Sequence, residues 1–535
     1  MKLKYVLVTL LFIVLKTFSQ ESKNVLFTID NEPFYTQEFL TVYKKNLNIV
    51  DNSKTDIQKY LQLFINYKLK VKEAKSLGLD TIQKFKNELK KYKETLILPY
   101  LKDKNVTKKL VIEAYNRLKK EINVSHILIP LKPSALPKDT IEVYNTLIEA
   151  RNLIIEGNDF AKIARQYSKD PTVQQNGGEI GFFTALQMVY PFENKAFSTP
   201  VGQVSMPFKT KFGYHILKVN AIRDSRGEVE VAHIMFRKNN ANAKKLIDSV
   251  YNELLNNNNV TFAEIAKKLS EDRTSGVKGG KLNKFGSGKM IEDFANVAFA
   301  IKNEGDISKP FQTQFGWHII KLLKKYPLKN FEELKDKLTK EVEKDERSNL
   351  IDKSVIKKLF EQYNIIVNNK ALQQFEIDDW KTNSEKFQQI ILSINEKNIS
   401  QQKFINYLKS YIFMSPNEAF KNFKEKEVLN YYKEHIELSN PDFANTYKEF
   451  KEGLLIFDLL DKQVWEKAKD NAGLLSYFNL NKSTKYNHKR LSKIKSTVIS
   501  DYQNYLEITM INKLHKKYEV KINKSEKKRL KKLNF

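Results

Sequence analysis

Two stretches of this 535-residue chain carry the same series of short motifs. The matching residues are separated by nearly constant distances: 107 residues from His126 to His233, 102 from Asp170 to Asp272, 102 from Met188 to Met290, and 103 from His215 to His318. Self-similarity at a fixed period indicates a duplicated structural unit. We therefore expect two tandem domains of about 100 residues each, with further domains around them, because one hydrophobic core does not grow to this length.

The first copy combines strand patterns with a helix pattern. Residues 124–129 (VSHILI) alternate and are rich in β-branched side chains, which predicts a strand, and residues 213–219 (GYHILKV) predict a second strand. Between them, Asp159 can cap an amphipathic helix. Gly177-Gly178 predicts a turn into an extended segment at 179–183. This mixture belongs to the α+β class.

The order of these motifs resembles the parvulin family of peptidyl-prolyl cis-trans isomerases. In the first copy the resemblance is carried by SHIL at 125–128, YSKD at 167–170, GGEIG at 177–181, Met188 with Phe192, and FGYHIL at 212–217. In the second copy it is carried by VAHIMF at 231–236, FAEIAKKLSED at 262–272, GGKLNKF at 279–285, GKMIEDF at 288–294 and QFGWHII at 314–320. The resemblance implies two parvulin domains, at 121–222 and 228–326, each a small antiparallel sheet with surrounding helices. The polar residues 223–228 between them predict a linker.

The resemblance also implies the site residues of both copies. The polar set contains an acid, a threonine and two histidines that hydrogen-bond to each other across adjacent strands: His126, Asp170, Thr210 and His215, and in the second copy His233, Asp272, Thr313 and His318. The apolar slot for a proline ring contains Ile180, Met188, Phe192 and Phe212, and in the second copy Leu282, Met290, Phe294 and Phe315. No cofactor is implied. A metal site is not expected, because the histidines have hydrophobic strand neighbours and no carboxylate at ligand spacing.

The same residues have structural interpretations that the sequence leaves open. Met188 and Phe192 are at helical spacing, which is typical of a helix core. The paired histidines can serve only to hold the sheet together through a ring-to-ring hydrogen bond. Asp170 precedes Pro171 and can be a turn residue.

Two positions depart from the parvulin pattern, one in each copy. Leu186 stands where a glycine is usual and where the second copy has Gly288, which leads us to expect a reshaped loop over the first slot. Asn283 replaces the usual glycine that Gly181 provides in the first copy. The sequence therefore does not identify the better enzyme of the two copies.

The regions outside the two copies are predicted to be mainly helical. They comprise an N-terminal region at 20–120, which resembles the helical segment of secreted parvulin-type chaperones, a helical segment at 327–375, and a C-terminal region at 376–535. Residues 524–535 are dense in lysine, and we expect them to form a disordered basic tail. The tail is either a solvated end that binds nothing or a segment that binds a partner.

Two weaker repeats connect these helical regions. Residues 27–30 and Phe39 recur 365 residues later at 392–395 and Phe404, and Leu359 with residues 363–368 recurs 155 residues later as Leu514 with residues 518–523. They predict related outer modules, each with a strand, helices and a closing strand. The parvulin pair would then be inserted between helical parts.

Residues 1–19 predict a secretory signal. Lys2 and Lys4 precede an apolar run at 5–15, and residues 17–19, with the small side chains of Thr17 and Ser19, form a plausible cleavage site. An uncleaved anchor is the alternative, but we expect no integral membrane span in the mature protein. The chain has no cysteine, so disulfides, thiolate metal sites and a lipidated cysteine are excluded. The expected location is the periplasm, and the outer face of a single bacterial membrane is the alternative.

The net charge of +29 admits attraction to nucleic acid, acidic clients or anionic membranes. We interpret most of it as composition, since lysine, asparagine, isoleucine and phenylalanine are all abundant. An export signal argues against nucleic acid as a partner. The resemblance to parvulin-type chaperones implies prolyl isomerisation and chaperone activity on unfolded or nascent exported polypeptides, outer-membrane proteins in particular. A non-catalytic holdase or assembly factor is the alternative, because a fold does not fix a function. A basic scaffold that binds polyanions is a third interpretation.

Overall fold

A computed structural model describes residues 24–47, 57–132, 137–257, 259–411 and 414–532. The predicted signal at 1–19 lies outside the described residues. By internal contacts the chain divides into two compact units, one of Met1–Pro99 with Lys433–Phe535 and one of Tyr100–Tyr432. Within the described ranges, no helix is both long and apolar enough to cross a membrane.

Small antiparallel sheets and many helices alternate along the chain, which confirms the predicted α+β class. The strands are β1 (Val25–Ile29), β2 (Glu32–Tyr35), β3 (Lys120–Pro130), β4 (Glu179–Phe183), β5 (Phe208–Thr210), β6 (Gly213–Asp224), β7 (Glu228–Arg237), β8 (Phe311–Thr313), β9 (Gly316–Tyr326), β10 (Ile365–Val367), β11 (Ile390–Ile394), β12 (Lys397–Ser400) and β13 (Val520–Ile522).

The first twelve α-helices precede the first copy in the chain or belong to one of the two copies. They are α1 (Thr36–Leu47), α2 (Ile57–Ser76), α3 (Gln83–Leu96), α4 (Lys104–Leu118), α5 (Pro137–Ile155), α6 (Phe160–Tyr167), α7 (Val173–Asn176), α8 (Tyr190–Ser198), α9 (Ala243–Asn256), α10 (Phe262–Leu269), α11 (Arg273–Gly276) and α12 (Glu292–Ala300).

The remaining α-helices follow the second copy. They are α13 (Phe331–Val342), α14 (Ser348–Gln362), α15 (Asn369–Gln373), α16 (Gln401–Leu408), α17 (Pro416–Ser439), α18 (Pro441–Leu460), α19 (Glu466–Ala468), α20 (Asn471–Asn481), α21 (Leu491–Lys517) and α22 (Lys524–Leu530).

The first copy folds around an antiparallel sheet of order β4-β3-β6-β5. The predicted strands are present, and β3 pairs with β6 along its whole length. Asp159 caps α6 by accepting from the Lys162 amide. Gly178 has a φ of 86°, and a Cβ there would lie 2.5 Å from the His126 carbonyl oxygen. Glycine is therefore required where the turn brings β4 against β3 beside His126.

The second copy repeats this arrangement with a sheet of order β7-β9-β8. Gly280 takes the role of Gly178, since a Cβ there would lie 2.3 Å from the His233 carbonyl oxygen. Gly181 of the first copy has a φ of 82°, whereas Asn283 does not adopt a positive φ. The segment around Asn283 makes isolated bridges to β7 in place of a strand like β4.

The linker predicted at 223–228 is fastened to the first copy. Its two arginines contact Glu121, which is 2% exposed: Arg223 Nε donates to Oε2 at 2.8 Å, and the Arg226 amide donates to Oε1 at 3.0 Å. The two copies are therefore joined by a short ordered connection.

The weaker repeats are confirmed by the positions of the outer strands. β11 and β12 begin and end 365 residues after β1 and β2, and β13 begins and ends 155 residues after β10. In the first unit β13 pairs with β1, so the two ends of the chain share one sheet. In the second unit β10 pairs with β11 in the equivalent register. The first strand of each module therefore pairs with the closing strand of the other module: β1 pairs with β13, and β11 pairs with β10.

The expectation of a disordered tail at 524–535 is wrong for 524–532. Asn523 caps α22 by accepting from the Ser525 and Glu526 amides. Thr36 Oγ1 donates to Glu526 at 2.9 Å, and Leu530 is fully buried. One leucine within the run of lysines packs against the core of the first unit, and this contact orders the helix.

Candidate functional site

The paired histidines of each copy lie side by side on neighbouring strands. His126 on β3 is opposite Leu217, and His215 on β6 is opposite Leu128, so the two rings are diagonal neighbours on one face of the sheet. Their centroids are 5.8 Å apart, with 22° between the ring planes. His233 and His318 repeat this geometry at 5.7 Å and 17°. All four rings are buried.

In the first copy each histidine contacts a different polar side chain through its Nε2 atom. His215 Nε2 lies 2.8 Å from Thr210 Oγ1, which also accepts from the Phe212 amide at 3.1 Å. His126 Nε2 lies 3.4 Å from Asp170 Oδ2. The Nδ1 atoms of both histidines are buried without a partner among the described residues. The expected hydrogen bond between the rings is therefore not found, because the rings are nearly parallel and each is bonded through Nε2 instead.

In the second copy the acid is bonded more closely. His233 Nε2 lies 2.8 Å from Asp272 Oδ2 and 3.0 Å from Ser275 Oγ. Ser275 Oγ also donates to Asp272 Oδ2. His318 Nε2 lies 2.9 Å from Thr313 Oγ1, as in the first copy. Acid, serine and histidine thus form a closed triangle.

Each acid is also bonded by a residue shortly after it in the chain. Asp170 Oδ1 accepts from the Thr172 amide at 2.8 Å and from Thr172 Oγ1 at 2.6 Å. Asp272 Oδ1 accepts from the Thr274 amide at 3.1 Å and caps α11. The turn role considered for Asp170 is therefore present alongside its contact with His126.

Burial and hydrogen bonding determine the charge of these groups. Burial lowers the pKa of all four histidines, to about 3 for His215 and about 4 for His318. Burial alone raises the pKa of Asp170 and Asp272, but hydrogen bonds from Thr172 and Ser275, together with the adjacent histidines, outweigh it and hold both pKa values below the usual range. At neutral pH the acids are ionised and the histidines are neutral. An ionised acid only accepts, so His126 and His233 carry their proton on Nε2.

An aromatic residue from α8 or α12 connects each histidine pair to the apolar slot. The Phe192 ring lies 5.7 Å from the His126 ring and 5.5 Å from the His215 ring, both near perpendicular. Phe294 lies 5.6 Å from both rings of the second pair. The predicted slot residues Ile180, Met188, Leu282 and Met290 are partly buried in the same two clusters.

Phe212 and Phe315 lie at the edge of the two sites, at the turns that follow β5 and β8. Their side chains are 55% and 56% exposed, and their amides donate to Thr210 and Thr313. The structure therefore gathers the predicted residues of each copy around its histidine pair, with these two phenylalanines at the rim.

Three further residues contact these groups and were missed from the sequence. The Phe208 ring lies 5.4 Å from the His215 ring at 20°, and Phe311 lies 5.5 Å from His318 at 27°. Each of these phenylalanines stands two residues before the threonine of its copy, and this repeated spacing could have identified them from the sequence. Ser275 has no such signal, because the first copy has Val173 at the corresponding place.

Leu186 keeps the loop conformation that glycine has in the second copy. Its φ is 66°, close to the 77° of Gly288, and a non-glycine residue in this region costs about 1–2 kcal/mol. The Leu186 amide donates to Glu193 Oε2 at 2.8 Å. Fully buried Glu193 also accepts from Arg117 at 3.0 Å and from the buried Arg347. The loop is thus held in a strained but similar shape, and the expectation that Leu186 reshapes it is wrong.

Comparison with known families identifies the class of these two domains. Residues 107–223 and residues 233–324 each match a family model described as the PPIC-type PPIASE domain. The chain therefore carries two peptidyl-prolyl isomerase domains of the PpiC, or parvulin, type in tandem, flanked by helical regions.

Individual relatives cover only part of the protein. Chaperone SurA of Pseudomonas fluorescens is 33% identical over 215 residues, which are 39% of this chain and 50% of that protein. Chaperone SurA of Pseudomonas aeruginosa is 33% identical over 216 residues, 39% of this chain and 51% of that protein. A crystal structure of the peptidylprolyl isomerase PrsA from Bacillus anthracis is 32% identical and covers 24% of this chain and 59% of that one, with a TM-score of 0.18. The chain spans about half the length of the curated relatives it matches.

Proposed function

We propose that the two tandem domains catalyse cis-trans isomerisation of prolyl peptide bonds, and that the whole protein is a periplasmic folding chaperone for unfolded exported polypeptides, outer-membrane proteins among them. The observation that carries the catalytic part is the same in both domains. An ionised acid, bonded to a neutral histidine, lies beside an apolar cluster built on one buried phenylalanine.

The chemistry required is non-covalent. Resonance makes the prolyl C–N bond partly double, which sets a rotational barrier of about 18–20 kcal/mol. The same resonance places negative charge on the carbonyl oxygen, and twisting the bond removes that charge. A catalyst must therefore bind the twisted amide better than either planar form.

The acid can supply this difference in binding. A carboxylate next to the carbonyl oxygen repels the charge-rich planar amide more than the twisted amide. Asp170 and Asp272 would act in this way, with His126 and His233 holding them. Thr210 with His215, and Thr313 with His318, would orient those histidines. The apolar slot would hold the proline ring while the carbonyl rotates.

A cavity in the first unit supports the chaperone part. It measures about 760 Å³ and is lined by the rings of Tyr35, Tyr60, Phe64 and Tyr67, with 63% exposed Leu63 at its wall. Aromatic walls bury large apolar side chains at little entropic cost, as the capture of an unfolded client requires.

Prolyl exchange measured by NMR on a short X-Pro peptide tests the proposal. The mature protein should accelerate exchange, and the Asp170→Ala/Asp272→Ala double variant should lose most of that acceleration while suppressing aggregation of an unfolded client as before. If the parent protein suppresses aggregation but does not accelerate exchange, the protein is a holdase that uses the two domains to bind peptides.

A further inference from the structure

A second cavity lies between the two parvulin-type copies and α13, all within the second unit. It measures about 1200 Å³. The first copy contributes the loop at 184–187, the second contributes the segment at 282–290, and α13 closes the remaining side. Leu282 and Met290 line this cavity and also belong to the apolar cluster around Phe294. The cavity and the proline slot of the second copy therefore share two lining residues.

Fixed contacts between the two copies build this space. Gln187 Nε2 donates to the Ser287 carbonyl oxygen at 3.1 Å, and Arg226 Nη2 donates to Ser287 Oγ at 3.2 Å. A Cβ at Gly288 would lie 2.9 Å from the Phe182 carbonyl oxygen, so the two loops touch. The cavity is part of the folded second unit and not a gap between loose domains.

The lining carries an excess of positive charge. It contains six lysines and four glutamates. Every glutamate has a basic partner: Glu121 with Arg223, Glu228 with Lys284, Glu333 with Lys329, and Glu341 with Lys337. Lys289, Lys324 and Lys325 take part in no ion pair among the residues that the structure describes, and of these three Lys324 lies over the Tyr326 ring, 5.4 Å from its centroid. Lys289 directly precedes the slot residue Met290.

We propose that this cavity binds acidic side chains of a client segment, next to the proline that occupies the second slot. The second copy then acts preferentially on prolines flanked by aspartate or glutamate. This inference rests on the proposed function, because it names the substrate class of one of the two sites.

The first copy has a different surrounding. Its slot residue Met188 lines a cavity of about 720 Å³, in which three acids outnumber two lysines: Glu341, Asp345 and Glu346 against Lys211 and Lys344. A preference for acidic clients is therefore expected from the second copy alone.

Binding of matched peptides tests the inference independently of catalysis. Fluorescent peptides share a central Ala-Pro-Phe and carry two glutamates, two glutamines or two lysines on each side. Their dissociation constants are measured by anisotropy with the full mature protein, at low and at high salt. We expect the glutamate peptide to bind at least about fivefold tighter than the glutamine peptide at low salt, with the difference shrinking at high salt.

Substitution of the free lysines gives the deciding comparison. The Lys289→Gln/Lys325→Gln variant should bring the ratio between the two peptides close to one. The Lys268→Gln/Lys278→Gln variant removes the same charge from exposed residues of the second copy outside the cavity, and it should keep the ratio. Equal binding of the two peptides by the parent protein, or a ratio that survives the first variant, would overturn the inference. Failure of the parent to accelerate any prolyl exchange would instead contradict the proposed function, while these binding ratios would still decide the cavity.

Discussion

The two parvulin-type copies share a fold and a set of side chains, yet they hold their acids differently. In the second copy, Asp272 lies 2.8 Å from His233 and also accepts from Ser275. In the first copy, the Asp170–His126 distance is 3.4 Å. The comparison teaches that the presence of the acid and the histidine does not determine how firmly they are joined.

A second difference lies on the helices that carry the slot phenylalanines. Glu193 on α8 is fully buried and bonded to Arg117 and Arg347, whereas the corresponding residue on α12 is Ala295. The first copy is therefore fastened to α4 and to the segment before α14 by an ion network that the second copy lacks.

Glu193→Ala should have the largest effect on stability. It leaves the fully buried Arg347 with Asp345 as its remaining acidic partner, so we expect a loss of up to about 3–5 kcal/mol, the cost of a broken buried pair. The free energy of unfolding in urea measures the loss. Glu253→Ala, at an exposed position of α9, is the control and should change it by less than about 0.5 kcal/mol. A loss below about 1 kcal/mol for Glu193→Ala would mean that the network does not fasten the first copy.

Acidification should destabilise both copies through His215 and His318. The pKa of His215 is about 3 and that of His318 about 4 in the folded protein, below the unfolded value of about 6.5. These two histidines therefore leave the free energy of unfolding unchanged above pH 6.5, and they lower it as the pH drops from 6.5 toward their folded pKa values. By pH 5 each histidine accounts for about 2 kcal/mol.

Ring proton shifts followed by NMR from pH 7.5 to 5 check the titration directly. The signals of His215 and His318 should stay constant, with His318 the first to move below that range. Midpoints near 6.5 for either ring would show that burial does not keep it neutral.

Swapping the residues at positions 275 and 173 should transfer part of the difference in hydrogen bonding of the acids from one copy to the other. Ser275→Val, measured with Asp170→Ala to silence the first copy, removes a hydrogen bond to a charged group, so we expect kcat/KM to fall about tenfold. The Asp272 pKa should rise because a donor is lost, which shifts the acidic limb of the pH profile to higher pH. A lower rate with an unmoved limb would assign Ser275 a purely structural role.

Val173→Ser, measured with Asp272→Ala, is the reciprocal variant. It should shift the acidic limb of the first copy to lower pH, because the new hydroxyl can donate to Asp170. A circular dichroism spectrum like that of the parent confirms that the buried position tolerates the change. An unchanged limb would contradict the view that residue 173 or 275 sets the difference.

Gly288→Ala should have the smallest effect. The residue has a φ of 77°, and the new Cβ would lie 2.9 Å from the Phe182 carbonyl oxygen, so we expect a loss of about 1–2 kcal/mol in the free energy of unfolding. Gly305→Ala, with a φ of 96° and no atom within 4 Å of the new Cβ, carries the backbone strain alone. Equal losses for the two variants would show that the contact between the copies is not tight.

Local patterns predicted those parts of the fold that depend on neighbouring residues. The strands that carry His126 and His215, the helix capped by Asp159 and the double-glycine turn follow from periodicity and turn chemistry. The constant spacings predicted the duplicated domains and the related outer strands. These features repeat along the chain, so the sequence displays them directly.

Contacts between distant segments could not be predicted in this way. The pairing of β1 with β13 joins residues almost 500 positions apart, and the order of α22 depends on burial of Leu530 in that distant core. The Glu193 network joins three separate segments, each of which shows only an ordinary charged residue. Ser275 contacts Asp272 through a hydrogen bond that the residue type alone does not reveal.

The most direct test of the account compares prolyl exchange in the single variants Asp170→Asn and Asp272→Asn. Asparagine keeps the shape of the acid and removes its charge. If both sites act through an ionised acid held by histidine, each variant should lose activity, and Asp272→Asn should lose the larger share because its acid is bonded more closely. Full activity in both variants would contradict the proposed role of the acids in both copies.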